Sequence, residues 1–133
     1  MTVNFLAGVF LPVSNLERSV DFYTKELGLR CRGIERWSES RAATLFTHPD
    51  KDDYGMLCLE EKTSGKIIPA PKPFFNLNVS GVEALHKSLH NRFIRVSDLQ
   101  FWDSPWNTHI MFDVYDPDGH PINLIESTPK ESC

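Results

Sequence analysis

Hydrophobic and polar positions alternate from Gly8 to Val13, with Val9, Leu11 and Val13 sharing one side of the pattern. A period of two predicts a strand. The period then lengthens. Leu16, Val20, Tyr23 and Leu27 recur at helical spacing, and Gly28 supplies a stop. Further on, Val82, Leu85 and Leu89 repeat the helical pattern up to about Asn91. "MFDVYDPDGHPINLIE", Met111 to Glu126, reads as strand, tight turn, strand. In the turn Pro117 fixes φ, Asp118 tolerates turn geometry and Gly119 can take φ > 0. In the last strand Ile122 and Leu124 share one face, while Asn123 and Ile125 share the other. An amide therefore points away from the apolar side in mid-strand.

The pattern is written twice. "FLPVSNLERS" from Phe10 matches "NLNVSGVEAL" from Asn76, 66 positions later. Leu11 meets Leu77, Val13 meets Val79, Ser14 meets Ser80 and Glu17 meets Glu83. Both copies carry Ser-x-x-Glu before an apolar periodic run. This predicts capping boxes, with Ser14 and Ser80 as the N-caps. "ATLF" (Ala43 to Phe46) pairs with "HIMF" (His109 to Phe112), also 66 apart, and "MLCLEE" (Met56 to Glu61) pairs with "PINLIE" (Pro121 to Glu126), 65 apart.

Each copy thus predicts strand, helix, strand, strand, strand, an α+β class. The copies cover about residues 3–61 and 74–126. Pro- and Gly-bearing "TSGKIIPAPKP" makes residues 62–73 a linker, and residues 127–133 a polar tail. The chain of 133 residues fits one domain, with a core that buries roughly two-thirds of the unfolded surface. A half of this length has a thin core, so each half is expected to need the other.

The first and last strands of each copy have one face suited to a helix: Val9, Leu11 and Val13 with Leu57 and Leu59, and Phe75, Leu77 and Val79 with Ile122 and Leu124. The opposite face mixes apolar, small and amide groups: Gly8, Phe10, Pro12, Met56, Cys58 and Glu60, then Phe74, Asn76, Asn78, Asn123 and Ile125. Such a mixture predicts a lined cavity, not a second core. Phe10, Phe74, Met56 and Ile125 are too apolar for a merely solvated face.

A net charge of −4 leaves no basic stripe, which argues against nucleic acid as a partner. No apolar run approaches the ~20 residues that span a bilayer, and the N-terminus has no basic n-region. Cys31, Cys58 and Cys133 form no metal-type pair, which predicts a reduced, cytoplasmic protein.

The tandem units, "VSNLERSVDFYTKELGL", "PW" before a strand and "DPDGHPINLIE" together resemble the vicinal oxygen chelate superfamily over about Phe5 to Glu126. That group holds glyoxalase I, ring-cleaving dioxygenases, fosfomycin-resistance transferases and bleomycin-resistance proteins. The resemblance implies a U-shaped, cupped mixed sheet built from two tandem βαβββ units, with helices on the convex side. It also implies a homodimer, and in metal enzymes a divalent ion on the concave face. The positions matching the family's ligands are Gly8, Cys58, Phe74 and Asn123, where the family has His, Glu or Gln. Glycine and phenylalanine donate nothing, asparagine is weaker than carboxylate, and one thiol does not make a hard-metal site. No metal or other cofactor is therefore expected.

Other side chains offer donor atoms. His86 and His90, four apart on the second helix, could chelate a metal or simply be solvated. His48 and His120 fall in turns and read as surface. His109 shares a strand face with Met111 and Asp113. It is a weak candidate for a general base, as is Glu60 for an acid or base, against the plainer reading of a satisfied histidine. Trp37, Trp102 and Trp106 lie at strand entries. They could wall a cavity, fill a core or join a dimer. Arg41 could face an anion or solvent. The ligand-binding set is Phe10, Trp37, Met56, Cys58, Phe74, Asn76, Trp102, Trp106, His109 and Asn123. The expected function is metal-free binding of a small organic ligand, for which bleomycin-resistance proteins are the family's precedent. The alternative is a metal-dependent lyase, dioxygenase or thiol transferase of the same superfamily.

Overall fold

The computed structural model describes residues 1–131. The chain divides into two compact units, residues 1–68 and residues 69 onward. The expected order of elements is observed in each.

In the first unit β1 (Gly8–Val13) leads into α1 (Leu16–Asp21), which continues as a π-helical turn, Phe22–Glu26. β2 (Arg30–Arg36), β3 (Arg41–Phe46) and β4 (Met56–Glu61) follow. The sheet order is β1-β4-β3-β2, with β1 parallel to β4 and the other pairs antiparallel. α1 packs on β3 and β4. Leu11, Val13, Leu16, Tyr23, Ala43, Leu45, Leu57 and Leu59 are buried between them.

The second unit repeats the plan with β5 (Asn76–Asn78), α2 (Val82–Asn91), β6 (Gln100–Asp103), β7 (Asn107–Tyr115) and β8 (Pro121–Pro129). Its order is β5-β8-β7-β6, with β5 parallel to β8. α2 covers β7 and β8 over Val82, Leu89, Phe112, Val114, Ile122 and Leu124. Each unit therefore pairs a four-stranded mixed sheet with one helical layer. No helix among the described residues is long and apolar enough to cross a membrane.

The two helices are capped, though not by Ser14 and Ser80. The α1 N-cap is Asn15, whose side chain accepts from the Arg18 N–H at 3.0 Å. Ser14 instead accepts from the Arg18 guanidinium at 2.9 Å. The α2 N-cap is Gly81, at φ 74°, with no side-chain cap of its own. A distant carboxylate does the work in both units. Glu61 accepts from the Leu16 N–H at 3.0 Å. Glu126 accepts from the N–H groups of Gly81 and Val82 at 3.2 and 3.1 Å. The cause is topological. Because β1 and β4 run parallel, the end of β4 lies beside the start of the helix that follows β1, and β5 and β8 repeat the arrangement.

Other expectations need adjustment. Phe74 lies ahead of β5 instead of in a first strand. Trp102 lies within a strand, β6, instead of at a strand entry. β8 takes in Ser127, Thr128 and Pro129, so the strand runs three residues into the expected tail. Ser132 and Cys133 lie outside the described residues. His120 is buried, not a surface residue. Its turn folds back on Asp116, whose carboxylate accepts from the Asp118 and His120 N–H groups at 3.0 and 2.9 Å. Gly119 sits at φ 87°, as the turn required.

The match of "ATLF" with "HIMF" is out of register. Leu45 pairs with Leu57 and Val114 pairs with Ile122, so β3 corresponds to β7 at 69 positions, not 66. A shift of three is odd, and an odd shift reverses which side chains face the helix. Ala43 is in the core, whereas His109 points to the other face.

Candidate functional site

The face of each sheet turned away from its helix, here called the open face, collects most of the expected site residues. In the second unit strand pairing arranges them in rungs. One rung is Asn76, Asn123 and Asp113; the next is Asn78, Ile125, Met111 and Gln100; the third is Ser127, His109 and Trp102. Asn123 donates its amide N–H to the Asp113 carboxylate at 3.0 Å. The mid-strand amide thus meets a carboxylate from β7. Ser97 fixes Asp113 from the flank: it accepts from the Asp113 N–H through its hydroxyl at 2.8 Å, and donates its own N–H to the Asp113 carbonyl at 2.8 Å.

His109 is nearly enclosed, with Nδ1 2.7 Å from the Ser127 hydroxyl. The Trp102 indole stacks on its ring, with centroids 4.6 Å apart and planes 22° apart. Trp102 remains 56% exposed. Trp106 follows in the β6–β7 turn, 76% exposed. Two backbone N–H groups, those of Trp106 and Asn107, donate to the Ser104 hydroxyl and shape that turn.

In the first unit the rungs are Gly8 and Met56; Phe10, Cys58 and Thr44; and Pro12, Glu60, Ala42 and Glu35. Trp37 leaves the end of β2 and its ring reaches Phe10, with centroids 6.2 Å apart. The indole N–H donates to Glu35 at 3.0 Å, and the Ser40 hydroxyl donates to Glu60 at 2.9 Å. Cys31 and Cys58 are free thiols, and the Cys58 sulfur lies 3.8 Å from the Thr44 hydroxyl.

Arg41 faces the helix side. It donates to both oxygens of Glu17, at 2.7 and 3.1 Å, and to both of Glu61, at 2.9 Å each. The Arg41 hydrogen bonds hold the Glu17 and Glu61 carboxyls below the usual glutamate range, with the Leu16 amide assisting at Glu61. The Val82 and Gly81 amides do the same for Glu126.

The four positions matching family metal ligands do not fit a hard divalent ion. Gly8 has no side chain, and a Cβ there would stand 3.0 Å from the Met56 carbonyl oxygen. Phe74 lies outside the strand, Asn123 is committed to Asp113, and Cys58 is a lone soft donor. Among the described residues no three His, Cys, Asp or Glu side chains converge closely enough to hold a metal. His86 and His90 stack at 6.5 Å in a groove with Lys87, Val96, Ser97 and Asp98, and His86 Nε2 lies 2.8 Å from the Ser97 carbonyl. Glu60 and His109 each have a hydroxyl partner within their own unit, Ser40 and Ser127.

Sequence reasoning missed Glu35, Ser40, Thr44, Asp113 and Ser127 as site members. Asp113 and Ser127 were within reach, since they lie an even number of residues from His109 and Asn123 on the same strands. Glu35 and Ser40 were not, because Glu35 follows an irregularity in β2 between Cys31 and Ile34 that breaks the alternation, and Ser40 lies in the turn between β2 and β3.

A family model described as Glyoxalase/Bleomycin resistance protein/Dioxygenase superfamily matches residues 4–124. Among solved structures, TnmS3, an antibiotic binding protein from Streptomyces sp. CB03234, is 24% identical with TM-score 0.73, covering 96% of this chain and 99% of that one. A glyoxalase/bleomycin resistance protein from the same organism is 26% identical with TM-score 0.64, covering 90% and 98%. The trypanothione-dependent glyoxalase I of Leishmania major is 20% identical with TM-score 0.70, covering 93% and 87%. No curated protein matches the chain.

Proposed function

Because the chain belongs to the glyoxalase/bleomycin resistance protein/dioxygenase superfamily, whose shared scaffold does not dictate one chemistry, we propose that it binds a small organic ligand on its open sheet faces without a metal. The observation that carries this is the Trp102–His109 stack on the same open face as the Asn76–Asn123–Asp113 rung, with the Ile125–Met111 rung between them. A half-exposed indole offers a platform for a planar group, and the amides and the carboxylate offer directional polar contacts. The likeness in fold to TnmS3, an antibiotic binding protein, supports this reading. The binding set is Phe10, Trp37, Met56, Cys58, Phe74, Asn76, Trp102, Trp106, His109 and Asn123. Phe10, Phe74 and Trp106 are 64%, 73% and 76% exposed, which supports pairing of two chains as well as ligand contact. A cytoplasmic location is part of the same proposal, supported by the free thiols of Cys31 and Cys58.

A thermal-shift screen of planar, hydrogen-bonding organic molecules tests the reading. A ligand that binds only the folded protein raises Tm. Trp102→Ala should lower the affinity of any hit by about tenfold or more, in line with the loss of a buried aromatic contact. Hits that bind Trp102→Ala and Asn123→Ala as well as the parent would overturn the assignment.

The Ser127 hydroxyl within hydrogen-bond reach of His109 favours a second reading, metal-independent proton transfer with His109 as the base. Turnover of a bound ligand that is lost in His109→Gln, with binding retained, would support it.

A further inference from the structure

We propose that the open face of the first unit seats an organic cation, an alkylammonium or quaternary ammonium group, between Phe10, Trp37, Glu35 and Glu60. The inference rests on the ligand-binding reading above and assigns the ligand's charge and the place that holds it.

Phe10 lies on β1 and Trp37 follows β2, the two outermost strands of the order β1-β4-β3-β2. Their rings nevertheless come within 6.2 Å, with planes 66° apart. Side chains from opposite edges thus meet across the open face, and beneath them Ala42 and Thr44 are buried on a face that carries no helix. Two carboxylates lie beside the aromatic pair, since Glu35 and Glu60 flank Ala42 in one rung. Each is oriented by a neutral donor, the Trp37 indole at 3.0 Å and the Ser40 hydroxyl at 2.9 Å. Among the described residues neither pairs with a lysine or arginine. The contrast with Glu61 is instructive. One residue along and facing the helix, it has Arg41 and a backbone amide to answer its charge.

Glu35 is exposed and adds its charge at the rim, whereas Glu60 is half-buried; a half-buried carboxylate without a counter-ion is costly, and a cation supplied from outside relieves it. The two aromatic rings select the kind of cation. Their faces attract positive charge and shed water, which suits a cation wrapped in methyl or methylene groups and not a hydrated metal ion. Anions are repelled by the same pair of carboxylates.

The test follows the Trp37 indole N–H by NMR during titration with choline and, separately, with its neutral isostere 3,3-dimethylbutan-1-ol. Choline should shift that resonance saturably, and the neutral alcohol should bind about tenfold more weakly or worse. Glu60→Gln keeps an acceptor for Ser40 and should weaken choline about tenfold. Trp37→Phe, read through backbone amides of β3, should weaken it too. Glu39→Gln, in the same turn, should leave it unchanged. Equal binding of the alcohol, an unaffected Glu60→Gln, or no shift of the indole would each overturn the seat. Where one of these results sinks the seat, neutral ligands from the thermal screen that still bind the open faces leave the ligand-binding reading standing. If nothing binds, both fail.

Discussion

Ser19 stands in α1 with its hydroxyl fully enclosed and, among the described residues, without a hydrogen-bond partner. An enclosed hydroxyl forfeits its water contacts and gains nothing in return. Ser19→Ala should therefore stabilise the protein by about 1 kcal/mol, read as a higher urea midpoint with an unchanged slope. Asn123 is the opposite case. Its amide is tied to Asp113, so Asn123→Leu would leave a half-buried carboxylate without its donor and should lower Tm. The sequence alone placed Asn123 off the apolar face by simple alternation. It did not identify the partner, because Asp113 becomes a neighbour only through the β7–β8 register.

At the scale of elements, the alternation and helical spacing disclosed both βαβββ units, since each long element packs one face and exposes the other. The short ones left little trace. β6 is four exposed residues, Gln100 to Asp103, and β5 only three. The capping boxes misled for a different reason. Ser-x-x-Glu is a local signal, and it lost to carboxylates more than forty positions away that no local pattern reveals. Glu126→Gln should lower Tm while the sheet remains intact by circular dichroism, because only the α2 start loses its charged acceptor. The other end of α2 carries a cost. Phe93 takes φ 62°, a position that glycine normally fills, while the Ile94 N–H closes on the Leu89 carbonyl at 3.1 Å. Phe93→Gly should gain about 1 kcal/mol in chemical denaturation.

For the whole molecule the three depressed carboxyls set a common acid limit. Glu17, Glu61 and Glu126 each titrate lower when folded than when unfolded. Their contribution is therefore complete above the unfolded glutamate value of about 4.3 and is lost as pH falls through the folded values. Calorimetric Tm should hold steady down to about pH 5 and then drop, and Glu126→Gln should make the drop shallower.

The duplicated plan also sets rules for moving chemistry between the units. An imidazole copied from His109 to Ala43, as the letter match suggests, would be driven into a site with no room, since Ala43 is fully buried. Strand pairing names Ser40 as the true counterpart, one step beyond Arg41 and turned toward Glu60. Ser40→His should be accepted and Ala43→His should not, by several kcal/mol in denaturant titrations. An engineer working from this scaffold should count along the ladder of paired residues, because the alphabet of the two halves has slipped by three.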